Sequence, residues 1–259
     1  MRLLKWHGLG NDYLLLEPEE RRAPLTAAQV QLLCDYHVGV GSDGILEVLD
    51  ARDGEADLTI WNPDGSTAEL SGNGTRIVAR WLARRSRRDD VAIHVGPRTV
   101  TARMLGGARV RMDMGRVEVS PPEKLSVGGE SLEFTPVSVG NPHAVIRREP
   151  ARDDLLRLGP LVETHPRFPE RTNVQLIAVD GDHALRVGVW ERGAGETRAS
   201  GTSSVAAAAA AVANGWCTSP VTVSLAGGAL EVELADGRAM LTGEAREICA
   251  VELSPELEL

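Results

Sequence analysis

Asn62-Pro63-Asp64-Gly65-Ser66-Thr67-Ala68-Glu69-Leu70-Ser71-Gly72-Asn73-Gly74-Thr75-Arg76 has a counterpart 129 residues further on, Glu191-Arg192-Gly193-Ala194-Gly195-Glu196-Thr197-Arg198-Ala199-Ser200-Gly201-Thr202-Ser203-Ser204. Each is a polar, glycine-rich loop with a Ser-Gly step that leads into an apolar stretch. After the first, Ile77, Val78, Trp81 and Leu82 recur at helical spacing over Thr75–Arg84. After the second, a helix is expected over Ser203–Asn214 and stops at Gly215. Two such loops point to one site built from two facing halves.

Outward from these loops the chain keeps the same order twice. Met1–Leu16 reads as two short strands around Gly8-Leu9-Gly10-Asn11-Asp12, and Thr26 is an N-cap for a helix through about His37, with Leu32, Leu33 and Tyr36 on one face. The loop Val38–Gly44 leads into strand Ile45–Leu49, and Asp57–Trp61 feeds the first Ser-Gly loop. Alternating strands are expected from Val91 to Met114. The second half reaches Gly140-Asn141-Pro142-His143, strand Ala144–Arg147, a polar helix from Asp153, strand Val174–Val179, and Leu185–Trp190 before the second loop. Pro121 and Pro122 make Gly115–Glu130 the candidate connection. The halves are therefore placed at 1–117, joined by the C-terminal segment 246–259, and at 118–245. Strands cluster rather than alternate with the four substantial helices, so the fold class is α+β, with a weak internal duplication.

Composition removes several functions. With 259 residues, 42% of them hydrophobic, the chain can bury a real core. A net charge of -9 argues against nucleic acid or an anionic membrane surface as a partner. Arg84-Arg85-Ser86-Arg87-Arg88 is followed at once by Asp89-Asp90 and reads as a solvated helix end. The only lysines are Lys5 and Lys124, neither in a phosphate-cradling context, so a pyridoxal-phosphate enzyme is disfavoured. Cys34, Cys217 and Cys249 are odd in number and widely spaced, which suits buried thiols in a reducing cytoplasm better than a disulfide framework or a zinc site. The start of the chain turns polar too soon for a signal peptide, and Val205–Ala213 is too short to span a bilayer.

A helix start preceded by glycine offers free backbone N–H groups and a favourable dipole to a carboxylate or phosphate. Two such starts converging on one carboxylate would stabilise charge built on it as a proton leaves the adjacent carbon. Ser71 and Ser200 would then flank that carbon, as a two-base racemase or epimerase requires. Taken singly, each serine is also an ordinary helix N-cap. No Gly-Lys-Ser/Thr occurs, and no Gly-x-Gly-x-x-Gly joins a strand to a helix, so nucleotide binding is disfavoured. His143 reads equally as a general base, an orienting group or a turn residue.

The chain resembles the diaminopimelate epimerase family along nearly its whole length. The resemblance is carried by His7-Gly8-Leu9-Gly10-Asn11-Asp12-Tyr13, Gly39-Val40-Gly41-Ser42-Asp43-Gly44, Asn62-Pro63-Asp64-Gly65-Ser66, Gly72-Asn73-Gly74-Thr75-Arg76, Gly140-Asn141-Pro142-His143, Arg167-Phe168-Pro169-Glu170-Arg171-Thr172-Asn173 and Glu191-Arg192-Gly193-Ala194-Gly195-Glu196-Thr197. It implies two pseudo-symmetric α+β domains, each a curved, mostly antiparallel sheet around a central helix, with the site in the cleft between them. It also implies interconversion of LL- and meso-diaminopimelate in lysine biosynthesis without a cofactor or metal, in the cytoplasm, by a homodimer. Asn11, Asn62, Asn141, Asn173, Glu191 and Arg192 would hold the substrate's amino and carboxylate groups, and the amides at Gly72-Asn73 and Gly201-Thr202 its reacting carboxylate. His143 and Glu191 would support catalysis.

The sequence departs from the family at its centre. The family's two catalytic bases are cysteines, and here both positions are serine, Ser71 and Ser200. A hydroxyl is several units more basic than a thiol of reference pKa about 8.5, and each unit costs about 1.4 kcal/mol to ionise. A serine base therefore needs a neighbour that takes its proton. Two other readings stand beside the epimerase: another isomerase or dehydratase of a carboxylate substrate, or an amino-acid-binding paralogue or Cys-to-Ser variant without turnover.

Overall fold

The opening residues alternate as a strand requires. In β1 (Arg2–Gly8), Leu4, Trp6 and Gly8 are buried while Lys5 and His7 stay partly exposed. Leu9 and Gly10 both take positive φ, the signature of a two-residue hairpin turn, and return the chain along β2 (Asn11–Leu16). The structure, a computed structural model, describes residues 1–257. It divides into two units: Met1–Met112 with the stretch from Gly243 onward, and Asp113–Thr242.

In the first unit, Thr26 caps α1 (Ala27–Cys34) through a capping box with Gln29. The helix stops at Cys34, short of the expected His37. The Asp35 carboxylate there accepts from the backbone N–H groups of His37 (2.7 Å) and Val38 (2.9 Å), a local turn that competes with helix. Tyr36 is consequently exposed rather than part of the apolar face with Leu33. There follow β3 (Ile45–Arg52), β4 (Glu55–Trp61), β5 (Thr67–Ala68), α2 (Gly72–Ser86), β6 (Asp90–Val95), β7 (Arg98–Met104) and β8 (Arg109–Arg116). Strand β2 pairs parallel with β3 across α1, and β4 pairs parallel with β6 across α2. The arginine run behaves as a solvated helix end: Arg84 pairs with Glu247 at 2.8 Å and Arg85 with Glu19.

The second unit repeats this plan. It holds β9 (Glu118–Val119), β10 (Glu123–Val127), β11 (Glu130–Ser138), β12 (Pro142–Arg147), α3 (Arg152–Glu163), β13 (Asn173–Gly181), β14 (Ala184–Glu191), β15 (Gly195–Thr197), α4 (Gly201–Ala213), β16 (Val221–Leu225), β17 (Gly228–Ala235) and β18 (Arg238–Glu244). Strands β12 and β13 pair parallel across α3, and β14 and β16 across α4. A parallel pair needs such a crossover, and each of these four carries a helix. The stretch 115–130 differs from the expected connection. Leu125 and Val127 alternate with polar residues and pack in the core with Phe134, so most of it is strand. The last strand among the described residues is β19 (Arg246–Glu252), which pairs antiparallel with β1. Glu258 and Leu259, the end of the expected C-terminal segment, lie outside the described residues.

A central helix in each unit explains how one sheet can cover so much apolar surface. Helix α2 touches β1, β2, β3, β4, β6 and β7 and buries Ile77, Val78, Trp81 and Leu82. Helix α4 touches β11, β12, β13, β14, β16 and β17. Its residues Val205 to Ala211 are buried all round, as an alanine-rich helix in the middle of a sheet must be. Cys34 and Cys217 are buried as expected; Cys249 is exposed, because β19 leaves residues 246–250 open on both faces. Among the described residues no helix is long and apolar enough to cross a membrane.

Candidate active site

In each unit a buried glutamate fixes the start of the glycine-rich loop. The Trp61 indole donates to Glu47 Oε2 at 2.9 Å, and Arg21 Nε donates to Oε1 of the same carboxylate at 2.6 Å. In the second unit the Trp190 indole donates to Glu163 Oε2 at 2.7 Å, and the Gly193 amide to Oε1 at 2.9 Å. Each tryptophan stands ten residues before its serine, so the duplication extends to individual side chains. Gly159 of α3 lets Trp190 seat, since a Cβ there would fall 2.6 Å from the ring. Gly159→Ala would ordinarily strengthen a helix by up to about 1 kcal/mol. Here it is expected to destabilise the protein by about 1–3 kcal/mol through that clash, measurable as a lower urea midpoint at unchanged slope.

The first half-site centres on Ser71, the N-cap of α2. Its Oγ accepts from the Gly74 amide at 3.0 Å and lies 3.0 Å from the Tyr13 hydroxyl. Thr75 Oγ1 donates to the Ser71 carbonyl at 2.7 Å and steadies the first turn. Gly72 and Asn73 open the helix. The Asn73 amide group donates to Asn11 Oδ1 at 3.3 Å and accepts from Arg76 Nη2 at 2.7 Å. Asn11 Nδ2 donates in turn to Asp43 Oδ2 at 3.0 Å, and burial raises the Asp43 carboxyl above the ordinary range. Arg76 is fully buried, donates through Nε to the Glu244 carbonyl at 3.0 Å, and is lowered to about 10 by desolvation. Asn62 is held at the head of its loop by Ser66, its Nδ2 donating to Ser66 Oγ at 2.9 Å.

The second half-site centres on Ser200, the N-cap of α4. Its Oγ accepts from the Ser203 amide at 3.4 Å and donates to Glu191 Oε2 at 3.0 Å. Burial is the largest influence on Glu191 and raises its carboxyl, against hydrogen bonds from Thr197 and Ser200 that favour the ionised form. Ser204 Oγ donates to the Ser200 carbonyl at 2.8 Å, the counterpart of Thr75. Asn173 joins two strands to the loop: its Nδ2 donates to the Pro142 carbonyl at 2.9 Å and its Oδ1 accepts from the Arg192 amide at 3.0 Å. The Arg192 guanidinium is exposed and donates to the Glu170 carbonyl at 3.2 Å. Gly201 and Thr202 form the first turn of α4.

His143 is buried between two amides. Gln175 Nε2 lies 3.1 Å from its Nδ1 and can only donate, so Nδ1 accepts and the ring proton sits on Nε2, which donates to Asn141 Oδ1 at 2.9 Å. Desolvation lowers the imidazole to about 3. The ring is therefore a neutral fixture that aims Asn141. The ring nitrogens are expected to show the neutral Nε2–H tautomer by 15N NMR from about pH 5 to about pH 8. The folded pKa lies below the unfolded one, so the unfolded chain binds the proton more readily. This stability is present above the unfolded value near 6.5 and lost as pH falls towards about 3.

The expected residues thus gather within their own units: Asn11, Ser71, Gly72 and Asn73 in one, and Asn141, His143, Asn173, Glu191, Arg192 and Ser200 in the other. Three partners escape a reading of the sequence. Glu47 and Gln175 signal themselves only as polar residues inside apolar strands, in Ile45-Leu46-Glu47-Val48 and Val174-Gln175-Leu176-Ile177. Tyr13 had a clearer signal, since Gly10-Asn11-Asp12-Tyr13 matches Gly140-Asn141-Pro142-His143 at an offset of 130 and puts Tyr13 where the other half has His143.

The chain is similar to proteins of known name. The family model described as diaminopimelate epimerase matches residues 3–120 and 135–248. A diaminopimelate epimerase of Synechocystis sp. is 38% identical over 94% of this chain and 95% of its own length. Another, of Cyanothece sp., is 40% identical over 96% and 98%. The solved structure of a hydroxyproline epimerase from Agrobacterium vitis superposes with a TM-score of 0.69 at 17% identity, covering 97% of this chain and 91% of that one, which is a likeness of fold.

Proposed function

The chain belongs to the diaminopimelate epimerase family, and we propose that it is an isomerase interconverting LL- and meso-diaminopimelate by two-base proton transfer at the α-carbon. The reading needs no cofactor. The observation that carries it is the Ser200–Glu191 hydrogen bond at 3.0 Å. A serine hydroxyl is too basic to act alone, and this carboxylate would take its proton as the hydroxyl oxygen takes the substrate's. Because Glu191 is raised by burial, accepting a proton costs it less than it would cost an exposed glutamate.

Ser200 removes the α-proton while its own proton moves to Glu191, and Ser71 protonates the opposite face of the same carbon. The carbanion's charge spreads into the α-carboxylate, which the amides of Gly72, Asn73, Gly201 and Thr202 stabilise at the two helix starts. Asn11, Asn62, Asn141, Asn173 and Arg192 hold the remaining amino and carboxylate groups, with the exposed Arg192 guanidinium suited to a bidentate carboxylate grip. His143 supports catalysis by orientation. The reaction would serve lysine biosynthesis in the cytoplasm, in a homodimer.

Purified protein in deuterium oxide is expected to introduce α-deuterium into LL-diaminopimelate and to yield meso product. Alkylation of the exposed Cys249 should leave that rate unchanged. Tight binding without exchange would remove the epimerase reading, and exchange without inversion would replace it with another isomerase or dehydratase of a carboxylate substrate.

A further inference from the structure

The two serines keep different company. Ser200 spends its own proton on Glu191 Oε2 at 3.0 Å, so an oxygen lone pair is left to meet a substrate proton. Among the described residues no carboxylate stands at that distance from Ser71. Its oxygen accepts from the Gly74 amide at 3.0 Å and has the Tyr13 hydroxyl at 3.0 Å. With Tyr13 donating, two N–H and O–H groups point at the Ser71 oxygen, and its own proton is free to point away. The phenol is held for this purpose: Tyr13 is 7% exposed, and Gly44 leaves room for it, since a Cβ there would fall 2.8 Å from Tyr13 Cε1.

We propose that Tyr13 is a positioning residue that acts through Ser71 as its proton relay, and that the two half-sites have opposite polarity. Ser71 is set to give a proton and Ser200 to take one. The proposal rests on the epimerase reading above. In the forward step the Cα–H bond breaks, its proton goes to Ser200 Oγ, and the Ser200 proton goes to Glu191. On the other face the Ser71 O–H bond breaks, its proton goes to Cα, and Tyr13 restores it, leaving Tyr13 as phenolate and Glu191 protonated. The reverse reaction starts from that second state. Water returns one proton from Glu191 to Tyr13 between turnovers, so nothing else is consumed.

Tyr13→Phe keeps the ring and removes only the relay. Inversion should then fall about a hundredfold in both directions, within the range of general acid–base effects, because the overall equilibrium fixes the ratio of the two. Wash-out of α-hydrogen in deuterium oxide should become one-sided. It persists, without inversion, for the isomer whose proton faces Ser200 and disappears for the other. Glu191→Gln should give the mirror image. Ser71→Cys placed on Tyr13→Phe should recover inversion, because a thiol ionises without a phenol beside it. Equal loss of wash-out from both isomers in Tyr13→Phe, or unchanged inversion, would overturn the relay and leave Tyr13 as packing. An unsubstituted protein that exchanges neither isomer would remove the epimerase reading itself, and the relay with it, before any variant is made.

Discussion

Ser71→Cys combined with Ser200→Cys is expected to epimerise diaminopimelate at least about a hundredfold faster than the parent chain. Two pKa units between a hydroxyl and a thiol would suffice for that factor at about 1.4 kcal/mol each, and the real gap is larger. The helix starts at Gly72 and Gly201 add to the effect, since a thiolate at a helix N-terminus is further favoured by the dipole. The gain carries a cost in folding. Both serines cap their helices, with Ser71 Oγ 3.0 Å from the Gly74 amide and Ser200 Oγ 3.4 Å from the Ser203 amide. A lost cap is worth about 1 kcal/mol, so the double variant should unfold several degrees earlier. Measuring kcat and the unfolding midpoint on one preparation separates the effects. A variant as slow as the parent would show that the two positions do not carry the proton transfer.

Glu191→Gln is expected to reduce epimerisation of either isomer by a factor of about 10² to 10⁴, the usual reach of a general base. The amide can still accept from Ser200, so the helix cap and loop should survive and the loss should fall on kcat. The pH dependence follows from the direction of the Glu191 shift. The reaction needs the carboxylate, and burial raises its pKa, so the parent's activity should fade on the acid side above the ordinary glutamate range. Residual activity of the variant should lack that limb. Stability moves the other way. A carboxyl raised on folding contributes stability that is present below the unfolded pKa and lost as pH rises through the folded value. At about pH 8 the variant should therefore be at least as stable as the parent, and towards about pH 3 the difference should close. A site that gains activity by holding a base it would rather protonate shows this trade. A variant with unchanged kcat would free Glu191 for substrate binding alone.

Much of the architecture is legible in the sequence. Helical spacing at Ile77, Val78, Trp81 and Leu82 marks α2, and the Thr26 cap marks the start of α1. The order of elements gives the duplication. Where expectation and structure part, a local interaction outweighs a pattern. Asp35 ends α1 with a side-chain turn that periodicity does not register. The two prolines of 121–122 hide the alternation of Leu125 and Val127 that makes the following residues a strand.

The sequence by itself determined the paired Ser-Gly helix starts, the polar residues around them and the family. Those are facts of residue order, and they survive without knowledge of which side chains meet. It also determined that serine stands at both positions. Only the tertiary structure decided what each serine can do with its proton. Tyr13 reaches Ser71 across 58 residues because β2 lies beside the start of α2, and Gln175 reaches His143 across 32 because β12 and β13 pair in parallel register. Glu191 lies only 9 residues from Ser200, yet it could equally have faced a ligand. The loop between them, anchored through Trp190 on Glu163, turns its carboxylate onto the hydroxyl instead. Strand register and loop anchoring depend on contacts distant in sequence, and the proton chemistry of a hydroxyl depends on its immediate neighbours.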